Sequence, residues 1–202
     1  RRGHLPDGRL DAAVVAAHSD PALKADLEKR LASLLGAGTS RAAKEYVCRK
    51  LSLIGTAASV PSLASLLPEK DHSHMARFAL ERIDAPEAAA ALRQALGTVQ
   101  GDLKLGMISS LAGRGDAACV PMLAALLASD SRTAVAAADA LGRLHTPEAM
   151  TALAAASGVS DKAAAAAIVD ARLACAESLL QQGKRSEATA IYQSLADAAA
   201  AD

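Results

Sequence analysis

The sequence predicts an all-α fold, an α-solenoid of short stacked helical hairpins, and three observations carry that prediction. Apolar residues fill 51% of the 202 positions, yet aromatic residues fill only 1%, with no Trp, one Phe and two Tyr. About a quarter of the chain is Ala, and a core of Ala and Leu favours helices through intrinsic propensity and close backbone approach. A sandwich or barrel needs the β-branched and aromatic residues that are scarce here. The second observation is an internal repeat. Gly55 to Leu67 and Gly115 to Leu127 match at nine of thirteen positions with an offset of 60, and Arg82 to Ala88 matches Arg143 to Ala149 with an offset of 61. Third, Leu34, Leu63, Leu92, Leu123 and Leu153 recur at steps of 29, 29, 31 and 30, while Leu51, Leu80, Leu111 and Leu141 recur at 29, 31 and 30. Both ladders drift together, so each unit of about thirty residues is one helical hairpin.

The elements follow in order. Residues 1–20 form an N-terminal segment punctuated by Gly and Pro, whose stretch Asp11 to Ala17 is a short capping helix. Residues 21–160 form the repeat array. Its first-position (A) helices fall at about 22–35, 58–67, 86–96, 117–128 and 147–156. The second-position (B) helices fall at about 41–54, 72–83, 102–112, 132–144 and 161–182. Pro61, Pro86, Pro121 and Pro147 sit near A-helix starts, where a missing N–H costs little. Gly55, Gly97, Gly115 and Gly158 fall between helices, and Ser40, Asp71, Asp116 and Asp161 are expected N-caps. Residues 161–202 form a terminal hairpin continuous with the array, and the polar tail from Asp197 to Asp202 offers no packed continuation.

The string Val120-Pro121-x-Leu123-x-x-Leu126-Leu127, then Val135, Ala137-Ala138-x-Ala140-Leu141-Gly142-x-Leu144 and Pro147-Glu148-Ala149, resembles a bacterial HEAT-like repeat, of the type also grouped with phycobilisome-lyase repeats. The resemblance covers about residues 22–160. It implies a right-handed solenoid of about five hairpins, with the B helices on the concave face. Ala176-x6-Gly183-Lys184-x3-Ala188-x3-Tyr192-x2-Leu195 resembles a tetratricopeptide hairpin without its final Pro. Such repeats serve many unrelated partners, so the resemblance speaks to architecture and not to chemistry.

Charge narrows the function. Lys plus Arg and Asp plus Glu balance at 22 each, which argues against non-specific binding to nucleic acid or an anionic membrane. No run of about 18 apolar residues occurs, so no membrane insertion is expected. The chain opens Arg-Arg-Gly-His without Met, which reads as a fragment or a processed product. The compartment stays open between cytoplasm and export after signal removal. Cys48, Cys119 and Cys175 have neither disulfide-framework nor zinc spacing. His72-x-His74 is half a metal pattern, but residues i and i+2 of a helix point roughly 200° apart. Cationic neighbours Lys44, Arg49 and Lys50 could lower the Cys48 thiol pKa, but its place beside the buried stripe reads as an inert core thiol. Neither a catalytic group nor a cofactor or metal site is expected.

The register gives one surface. With the B-helix leucines inward, residues at −5, −2 and +2 point roughly opposite. These are Tyr46, Arg49 and Leu53 in the first unit, then Met75, Phe78 and Arg82 in the second. The third unit supplies Gly106, Ser109 and Gly113, and the fourth Ala136, Asp139 and Arg143. Aromatics and Arg are enriched at binding hot spots. The expectation is a non-catalytic scaffold holding a protein or peptide on the first two units. The rivals are a structural role for Tyr46 and Phe78 at the core edge or against the N-terminal segment, and an enzyme or nucleic-acid module whose site forms only in three dimensions. Arg77 and Arg114, half-buried among apolar positions, are read as ties between repeats.

Overall fold

The structure is a computed structural model that describes residues 8–36, 38–156 and 159–201. Residues 1–7 of the expected N-terminal segment, the expected breaker Gly158 and the final Asp202 lie outside the described residues. Among the described residues the chain is all helical, without strands. The α-helices are α1 (Arg9–Ala16), α2 (Pro21–Ser33), α3 (Arg41–Ile54), α4 (Val60–Ala64), α5 (Ser73–Leu80) and α6 (Pro86–Thr98). They continue with α7 (Gly101–Gly113), α8 (Val120–Leu126), α9 (Ser131–Leu144), α10 (Pro147–Ala155), α11 (Lys162–Gln181) and α12 (Arg185–Ala201). Two 3-10 turns, Ala57–Ser59 and Ala117–Cys119, run directly into α4 and α8.

Local chemistry sets the ends of these elements. Pro occupies the first turn of α2, α4, α6, α8 and α10, where its fixed φ suits a helix and its absent N–H leaves no bond unmade. Ser40 caps α3 through the amide of Ala43, and Asp161 caps α11 through the amide of Ala164. Asp20, Asp130 and Thr146 cap α2, α9 and α10 in the same way. Gly115, at φ 68°, lets the chain leave α7 with the Asp116 amide bonded to the Leu111 carbonyl and its own amide to Ala112, the paired closure that a left-handed residue permits.

The chain divides into two compact units, 1–110 and 111–202, with α7 running through the division. In the first unit α3 packs on α2 and α5, and α4 packs on α5 and α6. In the second, α9 packs on α8, α10 and α11, and α11 also packs on α12. Within each unit several helices therefore meet their next-but-one neighbour in the chain as well as the adjacent one. Leu51, Leu63, Leu80 and Leu92 form the core of the first unit, and Leu111, Leu123, Leu141 and Leu153 that of the second, all at 0% exposure. Each contributes about 1.5–3 kcal/mol of burial.

Three expectations need correction. Leu34 is 49% exposed and lies beyond the end of α2; Leu31 and Leu35 are buried in its place, because one step along a helix turns a side chain about 100° away from the core. Gly97 lies inside α6 and breaks nothing. Asp71 does not cap α5, whose first residue follows His72; its carboxylate instead lies 3.5 Å from the Arg41 guanidinium. The tail helix α12 continues through Asp197 to Ala201, carried by its run of strong helix formers, and residues 196–200 are exposed, in keeping with a tail that offers no packed continuation.

Candidate functional site

Five of the six surface positions of the first unit fall on α3 and α5, which pack against each other, and Arg82 lies in the turn just past α5. The register pairs Tyr46 with Met75, Arg49 with Phe78 and Leu53 with Arg82, each 29 residues apart. They do not behave alike. Tyr46 is half-buried and turned toward α1, its hydroxyl donating to Asp11 Oδ1 at 3.0 Å. Lys50 joins the same carboxylate at 2.5 Å, and its ammonium lies 4.8 Å from the Tyr46 ring centroid. Hydrogen bonds from Lys50 and then Tyr46 hold the Asp11 carboxyl below its ordinary pKa. Burial, followed by the bond to Asp11, raises the Tyr46 phenol. The chemistry of Tyr46 is therefore to dock α1 onto α3, the structural role weighed against a binding one.

The remaining positions are more open. Leu53 is 56% exposed, the Arg49 guanidinium is exposed 5.9 Å from the Tyr46 ring, and Met75 is half-buried. The Arg82 guanidinium lies 3.7 Å above the half-buried Phe78 ring and donates from Nη1 to the Phe78 carbonyl at 3.1 Å. This stack presents a flat cation over an aromatic face. In the second unit the equivalent positions of α9 carry Ala136 and the Asp139–Arg143 ion pair at 3.2 Å, so among these register positions aromatic side chains occur on α3 and α5 alone.

Beneath this surface lies a polar tie of the kind expected for Arg77. Its Nη1 donates to the Gly106 carbonyl at 3.1 Å and to Ser110 Oγ at 3.0 Å, and the Ser110 hydroxyl donates to Glu81 Oε1 at 2.6 Å. A Cβ at Gly106 would stand 2.7 Å from the guanidinium carbon, so Gly106 is small to make room for Arg77. Arg114, just past the end of α7, is engaged as well.

Sequence reasoning missed Glu28. This carboxylate, 3% exposed, accepts from the Thr56 amide at 2.6 Å, the Thr56 hydroxyl at 2.9 Å and the Ser59 amide at 3.1 Å. It thereby caps the 3-10 turn that opens α4. Its only sequence signal was a charged residue on the face of α2 that the leucines mark as inward.

The remaining chemical candidates separate. Cys48 is buried, and desolvation pushes its thiol up to about 11 against the opposing pull of Arg49 and Lys44, so it is a poor nucleophile at neutral pH. Burial raises Cys175 too. His72 Nδ1 is 2.8 Å from Glu69 Oε2; no group of three or more His, Cys, Asp or Glu suited to a metal occurs among the described residues. No helix among them is long and apolar enough to cross a membrane. No family model matches the sequence, and no curated protein does either.

Proposed function

We propose that this chain is a non-catalytic HEAT-like solenoid that holds a protein or peptide along the exposed side of its B helices. The observation that carries the reading is the pairing on α3 and α5. A large apolar side chain, Leu53, is more than half exposed at the position equivalent to Arg82, whose guanidinium stacks on Phe78. Exposed apolar surface rimmed by Arg is the usual composition of a docking patch. With Arg49 and Arg82 on one face, the reading favours a segment that offers apolar anchors beside carboxylates. Tyr46 contributes by fixing α1 against α3, and Met75 by lining the patch.

Selection of peptides from a random library on the immobilised protein tests this. Enriched peptides are expected to be acidic and apolar, and to bind Leu53→Asp and Phe78→Ala at least about tenfold more weakly, the loss of one hot-spot side chain. Both variants should keep the wild-type helical circular dichroism. Equal affinity for wild type and both variants would remove the reading.

A further inference from the structure

Three buried side-chain polar atoms lack a hydrogen-bond partner among the described residues, namely His72 Nε2, Ser73 Oγ and Arg77 Nε. His72 precedes α5, Ser73 opens it and Arg77 lies in its last turn. Buried polar groups are almost always paired, and an orphan commonly marks an ion or ligand that completes it. Two of the three, Ser73 and Arg77, line one cavity of about 440 Å³ at the end of the first unit where α5 and α7 begin. Lys70, His74, Gln100 and Asp102 line it too.

The donor and acceptor balance identifies what fits. Ser73 is 1% exposed, and its hydroxyl can donate. Arg77 Nε can only donate, as can the Lys70 ammonium. Lys70 and Arg77 outweigh the single carboxylate of Asp102, which already has a contact of its own. The first amides of α5 add positive potential at the same end. Arg77 is also held in place, because its Nη1 is spent on Gly106 and Ser110, leaving Nε as the free donor edge. An apolar occupant would leave every one of these donors unmet.

We infer that this cavity is a binding site for a phosphate monoester group carried by a small soluble molecule. Lys70 and His74 receive the anion at the rim, and Ser73 and Arg77 donate to its oxygens within. The cavity is open to solvent while the orphaned atoms themselves are covered, so binding includes a rotation of side chains that uncovers them. The site is built from other side chains than the Leu53–Phe78 patch and stands whether or not that patch binds a partner.

The test is phosphorus NMR line broadening of inorganic phosphate and phenyl phosphate by the full chain, at constant ionic strength set with chloride. Saturable broadening is expected for wild type. Ser73→Ala should weaken binding about tenfold, the loss of one hydrogen bond to a charged group. Its fold should be intact, because the removed hydroxyl bonds to nothing. Lys70→Gln, at an exposed position, should weaken binding without changing the melting temperature. Absence of saturable broadening overturns the site, and so does equal binding by wild type, Ser73→Ala and Lys70→Gln. Sedimentation with phosphatidic acid vesicles without broadening of soluble phosphate overturns the small-molecule assignment.

Discussion

At the residue scale, the side chains that decide this structure are those whose neighbours the sequence does not list. Cys48 shows it. Three cations lie close in sequence, but burial outweighs them and the thiol rises to about 11. Gly106 shows it again. It occupies a surface-facing position of α7 by periodicity, yet a half-buried Arg77 fills the space beside it. Gly106→Ala should relieve about 1 kcal/mol of helix penalty while forcing Arg77 off Gly106 and Ser110, an overpacking cost of about 1–3 kcal/mol. A net loss of about 1 kcal/mol is expected. In an Arg77→Ala background the sign should reverse, so that Gly106→Ala stabilises by about 1 kcal/mol. Urea denaturation of the four proteins measures both numbers, and additive effects would sever Gly106 from Arg77.

At the element scale, helix boundaries were readable because capping and proline chemistry are local. Ser40, Asp161 and four of the A-helix prolines sit where the sequence places them. Leu34 failed because it was assigned from a repeat spacing whose offset varies between 29 and 31, and a single-residue slip changes the face of a helix. Gly97 and Asp71 failed because a Gly or an Asp near a helix end marks the boundary only when the end falls on it. The shortness of α4 and α8 was also hidden, since the two 3-10 turns before them contain good helix formers. Glu28 supplies what the first of those turns lacks. Glu28→Gln keeps the shape but removes the charge that three donors share, and should cost about 2 kcal/mol. Amide exchange at Thr56 and Ser59 should quicken with it. Unchanged exchange there would mean that Thr56 alone holds the turn.

At the scale of the whole molecule, each unit has its own fully buried leucine core. In the proposed array, contacts join only adjacent hairpins, so stability is a sum of local terms. Leu153→Ala, a deletion of buried atoms without full collapse around them, should cost about 2–5 kcal/mol. Faster hydrogen exchange should be confined to α10 and its neighbours α8, α9 and α11, with α3 and α5 as protected as in wild type. Equal loss of protection in α3 and α5 would contradict a repeat architecture.

The sequence by itself determined that the chain is helical, where most helices begin and end, and which leucines form the two ladders. Those properties depend on propensity, capping and periodicity, which act over a few residues. Its register also singled out six side chains on or beside α3 and α5. Only the tertiary structure decided what those side chains do: that Tyr46 is engaged by Asp11 of α1 while Leu53 stays open, that Arg77 is anchored across to α7, and that Ser73 is buried without a partner. Such outcomes depend on residues about thirty or more positions apart meeting in space, and a hydrogen bond or its absence is set by that meeting and not by the residues alone.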